Sequence, residues 1–133
     1  MLKLEIVTPE KRILDADVDS VTVPTATGEA GILPNHAPLI SALKPGILAY
    51  TAKGTTDRMA ISGGFVEVND NKIAVLADSA ETSNDVDPDA ARAERDAAEK
   101  ELSASGTAPV EETEAIRERI ESANAKLQLI AAK

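Results

Sequence analysis

The spacing of apolar residues changes once along this 133-residue chain, near Val86. Before that point the apolar positions keep a period of two. Leu2, Leu4 and Ile6 alternate with Lys3 and Glu5, as in a strand with one buried face. After it, Ile116, Ile120, Ala123, Leu127 and Ile130 recur at helical spacing, which draws one narrow seam along a helix. No single packing arrangement satisfies both periods. The chain is therefore expected to have two parts: an all-β domain over residues 1–85 and a helical hairpin over residues 86–133.

Within the first part, Ile13-Leu14, Val18, Val21 and Val23 continue the β-branched pieces. Runs at 47–51, 59–61, 65–68 and 73–77 follow, separated by Lys53-Gly54, Gly63-Gly64 and Asn69-Asp70-Asn71. Short strands at this close spacing, roughly ten of them, predict a flattened sandwich or barrel. Gly63-Gly64 falls between two strand-like runs, where a bulge or sharp bend would let the chain change sheets.

In the second part, Asp87-Pro88 is a helix start, with an acceptor at the cap and proline in the first turn. A run rich in Ala, Glu, Arg and Lys follows over 90–102, all good helix formers. Gly106, Thr107 and Pro109 break it, and a second helix is predicted from Pro109 to Ala132. Against the seam of this helix the first offers Ala90, Ala91, Ala93, Ala97, Ala98 and Leu102. A contact built on alanine buries little area, and at about 25 cal/mol per Å² it is held only weakly. The expected object is an antiparallel hairpin able to detach.

Composition excludes several classes of function. Net charge is −9, and an acidic surface repels phosphate rather than releasing counterions, so no nucleic-acid partner is expected. There is no cysteine, which removes disulfides and thiolate metal sites. Phe65 and Tyr50 are the only aromatic residues, so the core must be aliphatic. No run reaches the ~18 apolar residues of a membrane span. The N-terminus shows no apolar h-region, and a cytoplasm-like compartment is expected.

Between Gly28 and Gly46 lie three glycines and three prolines, so neither a long helix nor a long strand can cross the stretch. Glu29 and His36 are polar residues placed among its expected turns, where contacts with partners usually sit. For His36, the only histidine, three readings are open: a satisfied loop residue, a partner contact or a catalytic group. One histidine does not make a metal site, and no nucleophile–base–acid set or phosphate loop can be assigned. No catalytic, metal or cofactor residue is predicted.

Gly28-Glu29-Ala30-Gly31-Ile32-Leu33-Pro34-Asn35-His36-Ala37-Pro38-Leu39, followed by Leu43-Lys44-Pro45-Gly46, resembles the epsilon subunit of the bacterial and chloroplast F-type ATP synthases. Ile61-Ser62-Gly63-Gly64-Phe65-Val66-Glu67-Val68 is similar to that family's second signature, and Val7-Thr8-Pro9-Glu10 and Val75-Leu76-Ala77-Asp78 match as well. The resemblance implies a non-catalytic rotor subunit of the central stalk. Its partners would be the gamma subunit, the c-subunit ring, and the alpha and beta subunits of the same complex. The subunit would meet the membrane only through that complex, on the cytoplasmic face of the bacterial plasma membrane. Glu29, Ile32, Leu33, His36, Gly63, Gly64 and Phe65 would form the partner interface. The second helix would restrain ATP hydrolysis through the seam Ile116, Ile120, Leu127 and Ile130 and the cations Arg117, Arg119 and Lys126.

Many members bind ATP through Ile/Leu-Asp-x-x-Arg-Ala at the start of the first helix. Here the segment is Val86-Asp87-Pro88-Asp89-Ala90-Ala91, so the arginine position holds Ala90. Arg92 lies two residues on, roughly 200° around a helix, and Asp89 adds a repelling carboxylate. Weak or absent ATP binding is expected. The rival reading is a stand-alone β-sandwich that binds a small molecule under a helical lid.

Overall fold

The computed structural model describes residues 1–131. Ten strands are followed by two helices. The strands are β1 (Leu2–Val7), β2 (Arg12–Val18), β3 (Ser20–Thr25), β4 (Gly28–Ile32) and β5 (Leu39–Ala42). After them come β6 (Gly46–Ala52), β7 (Thr55–Ser62), β8 (Phe65–Asn69), β9 (Lys72–Leu76) and β10 (Ser79–Glu81). They form two five-stranded sheets in the orders β2-β1-β9-β8-β5 and β10-β7-β6-β3-β4. The expected sandwich is present.

The period of two decides which side chains face inward. Leu2, Leu4 and Ile6 are completely buried, and Val66, Val68, Ile73 and Val75 join them from the same sheet. Val21, Val23, Leu48 and Ile61 meet them from the other sheet. The core is aliphatic throughout. All pairings are antiparallel except β1 with β9, which run parallel with Lys3 opposite Lys72 and Val7 opposite Leu76.

The chain crosses between the sheets at Gly63 and Gly64, as their spacing suggested. Both have positive φ, 62° and 101°. A Cβ on Gly64 would strike the Leu76 carbonyl oxygen, so the crossing needs the absence of a side chain as well as the backbone freedom of glycine.

Helix α1 (Pro88–Ala104) starts as its sequence requires. The Asp87 carboxylate accepts from the amides of Asp89 and Ala90 at 3.0 and 3.2 Å, meeting two of the four open donors of a helix start. Helix α2 (Val110–Ala131) packs on α1 and also on β6 and β7. The end expected at Ala132 lies outside the described residues.

This double packing revises the seam. Ile116, Ile120, Leu127 and Ile130 are half-buried, whereas Thr113, Ala123, Ala125 and Leu129 are buried. A helix held on one side by a helix and on another by a sheet needs two apolar stripes, and Ala125 and Leu129 belong to the second. They cluster with Ala60, Val86 and Ala91. On α1 only Ala91 and Ala98 are buried; Ala90, Ala93 and Ala97 face solvent. The buried apolar side chains that α1 contributes are thus both alanine.

Candidate functional site

The residues expected to meet partners do not form one patch. Strand β4 runs from Gly28, opposite Thr25, to Ile32, opposite Val21. Glu29 lies near its start, in a strand rather than the expected turn, and is exposed. His36 lies beyond its far end in the β4–β5 loop. There its amide donates to the Leu33 carbonyl at 3.1 Å, and its Nδ1 lies 2.6 Å from the Ala37 carbonyl oxygen. The loop is pinned to the β8–β9 turn: the Asn35 amide donates to Asn71 Oδ1 at 2.7 Å. Leu33, beside this clamp, is 63% exposed.

Ile32 is the expectation that fails. It is 1% exposed and belongs to the core. Its alternation with exposed Gly31 in a strand paired to β3 turns the side chain inward, so it supports the loop and offers no surface to a partner.

Gly63, Gly64 and Phe65 stand at the opposite end of the sandwich from His36. The Leu43 amide donates to the Gly64 carbonyl at 2.8 Å, and the Lys44 amide to the Pro24 carbonyl at 3.0 Å. From this knot an apolar row crosses the outer face of the first sheet. Ala42 on β5 stands opposite Phe65 on β8, Phe65 opposite Leu76 on β9, and Leu76 opposite Val7 on β1. Phe65 and Leu76 are 57% and 55% exposed, and Ile40, two residues from Ala42 on the same face, is 74% exposed. The next row, Ile40, Glu67, Ala74 and Glu5, mixes apolar and acidic groups, and the row after it holds Asn69, Lys72, Lys3 and Asp17. An apolar strip with a polar border is the anatomy of a protein–protein contact. The glycine motif led to Phe65; Ile40 and Leu76 were missed, though outward alternation in a strand would have marked both.

The three cations expected to act from α2 are all engaged within the chain. Arg117 turns back on its own helix, donating to the Thr113 hydroxyl and, at 2.7 Å, to the Val110 carbonyl. Arg119 meets Glu101 of α1 at 2.8 Å. Lys126 reaches Glu81 of β10 at 3.5 Å and Glu94 of α1 at 4.0 Å.

At the start of α1, Val86 and Ala91 are buried, Ala90 is exposed and the Asp87 carboxylate is occupied as a cap. The displaced guanidinium of Arg92 lies 3.6 Å from the exposed Asp89 carboxylate. Just before it, Asp85 closes a turn with Thr82. The Thr82 amide and hydroxyl donate to its carboxylate at 3.0 and 2.9 Å; these bonds, with the Lys11 charge, hold its pKa below the ordinary value.

A cleft of about 450 Å³ beside α2 is lined by Tyr50, Asp57, Arg58 and Leu129, among others. Burial first, and then the Asp57 charge, push the Tyr50 phenol above its usual pKa. Among the described residues no group of three His, Asp or Glu side chains could hold a metal ion, and no helix is long and apolar enough to cross a membrane.

The family of the ATP synthase delta/epsilon chain, β-sandwich domain, matches residues 1–83. The chain belongs to this family. It is 50% identical over 99 residues to the ATP synthase epsilon chain of Desulfitobacterium hafniense strain Y51, covering 74% of this chain and 75% of that one. It is 52% identical over 101 residues to the ATP synthase epsilon chain of Nitratidesulfovibrio vulgaris strain DP4, covering 76% and 75%. Among solved structures it resembles a chain of the Euglena gracilis mitochondrial ATP synthase, OSCP/F1/c-ring, with TM-score 0.72 and 28% identity over 98% of this chain and 79% of that one. A chain of the Tetrahymena thermophila mitochondrial ATP synthase central stalk and c-ring shares the fold, with TM-score 0.64 at 18% identity over 97% and 96%. Family membership decides against the stand-alone lidded sandwich.

Proposed function

We propose that this chain is the epsilon subunit of a proton-translocating F-type ATP synthase. It would be a non-catalytic rotor element that couples turning of the c-subunit ring to the catalytic head and restrains ATP hydrolysis through its hairpin. The observation that carries the reading is the likeness over 98% of the chain to a chain of a solved F1/c-ring assembly.

The two ends of the sandwich suit two contacts. The apolar row Ala42, Phe65, Leu76 and Val7 fits a flat apolar area on the gamma subunit. The exposed Glu29 and the clamped loop of Leu33 and His36 offer polar groups to the c ring and to gamma. The alpha and beta subunits would meet the hairpin only after it lifts, because in the docked state its cations are already paired. The complex would place the subunit at the cytoplasmic face of a bacterial plasma membrane.

Reconstitution tests this reading. An enzyme assembled with a chain lacking residues 110–133 is expected to hydrolyse ATP faster than one with the full chain and to assemble equally well. Equal rates at low and high ATP would show that the hairpin is no inhibitor.

A further inference from the structure

Lys126 is the one cation of α2 that reaches the sandwich. Its ammonium lies between carboxylates of two other elements, Glu81 at the end of β10 and Glu94 in α1. Its side chain is only 20% exposed, and those of Glu81 and Glu94 are 31% and 43% exposed. On the helix it follows buried Ala125 and precedes half-buried Leu127 and buried Leu129, so its stem lies along the apolar contact while its head reaches the carboxylates. The buried members of that apolar contact are Ala60, Val86, Ala91, Ala125 and Leu129, with Ile47, Leu127 and Ile130 half-buried against them. Arg119 and Glu101 tie the two helices to each other.

We propose that Lys126, held by Glu81 and Glu94, is the latch that keeps the hairpin on the sandwich. The proposal rests on the reading of the hairpin as a mobile arm and names what governs its release. The latch joins β10, α1 and α2 at one ammonium, so loss of that charge loosens all three junctions together. It also leaves Glu81 and Glu94 on a chain of net charge −9 without the cation that balanced them. An arm docked by apolar area alone would not be loosened by added salt, whereas part-exposed ion pairs weaken as salt screens them.

The test is a distance measurement in the isolated full-length chain. The protein has no cysteine, so cysteines introduced at exposed Glu67 and Glu118 carry the only spin labels. The parent is expected to show one docked distance at low salt and a growing second population as sodium chloride is raised. Lys126→Met keeps the aliphatic stem and is expected to raise the undocked-to-docked ratio about threefold to tenfold, and Lys126→Glu further. The triple change Lys126→Glu, Glu81→Lys and Glu94→Lys is expected to restore the docked distance. Should Lys126→Met and Lys126→Glu both keep the parent distribution at every salt concentration, the latch is refuted. The hydrolysis assay with the shortened chain fails or succeeds independently. A released arm with unchanged hydrolysis would sink the inhibitory reading and leave the latch standing.

Discussion

Phe65 and Leu76 stand directly opposite each other on β8 and β9, on the outer face of their sheet, exposed by 57% and 55%. A facing pair of large apolar side chains left in water is costly unless something covers it. Their backbones are held by neighbours on both sides, so changing the side chains alters the surface and not the fold. Phe65→Ser with Leu76→Ser is expected to move the melting free energy by less than about 0.5 kcal/mol. The same pair is expected to weaken binding to the remaining central-stalk subunits about tenfold or more. Co-purification of the mutant with those subunits, next to a melting curve, separates the two effects.

Tyr50 can be followed alone, because the chain has one tyrosine and no tryptophan. Its phenol is held above the ordinary value by burial and by Asp57. Ultraviolet titration should place its ionisation above pH ~10 in the folded chain and return it to the ordinary value in denaturant. Because the folded pKa is the raised one, the phenol's contribution to stability is complete below the unfolded pKa and is lost as pH rises through the folded pKa. Asp57→Asn should bring the folded titration part of the way down; an unchanged curve would leave burial as the sole cause.

Gly64 and Gly54 both have positive φ, 101° and 80°, yet only Gly64 is enclosed. Gly54→Ala should cost about 1–2 kcal/mol, the strain of the left-handed region alone. Gly64→Ala adds a collision with the Leu76 carbonyl and should cost at least about 3 kcal/mol. Urea denaturation of the two variants measures the difference. Equal losses would mean that β9 gives way easily.

The isolated chain is expected to bind ATP weakly or not at all. Asp87 is committed to capping α1, Arg92 lies beside the Asp89 carboxylate, and Ala90 carries no charge. Isothermal titration at micromolar ATP should register no heat of binding. A clear micromolar dissociation constant would refute this expectation.

The hairpin should be separable in stability from the sandwich. Asp87→Ala removes the cap of α1 and should cost that helix about 0.5–2 kcal/mol. Leu129→Ala empties the largest buried position under α2, at roughly 2–5 kcal/mol if docking persists. Both should reduce helical circular dichroism before the sandwich melts. A fragment of residues 1–85 should keep a cooperative β transition, and a disordered fragment would end the two-part description.

The period-two residues Leu2, Leu4 and Ile6 could be read correctly because alternation states both the strand and its inward face. The crossing at Gly63-Gly64 was legible for a similar reason, since two adjacent glycines between strand-like runs leave few other uses. Ile32 was misplaced because the glycines around it hid its inward phase. The second stripe of α2 was missed because Ala125 and Leu129 differ from seam residues only through the sheet that packs on them. The parallel pairing of β1 with β9 leaves no local pattern, and neither do ion pairs such as Lys126 with Glu81. Side-chain reach across elements depends on how the layers stack, and that is a property of the assembled chain.

The placement of β1 between β2 and β9 sets a constraint on synthesis. Strand β1 is made before every other described strand and finds one neighbour at once, in β2. Its other neighbour lies at residues 72–76, nearly the whole sandwich later. Until then β1 and β2 have no third strand in their own sheet, and a two-stranded ribbon is marginal in water; Leu2, Leu4 and Ile6 lack the cover of Ile73 and Val75. Nascent chains stopped before Leu76 should therefore be protease-sensitive within β1, and chains released a few residues beyond it should close as a unit. The earliest-made strand of the sandwich is thus among the last to complete its pairing.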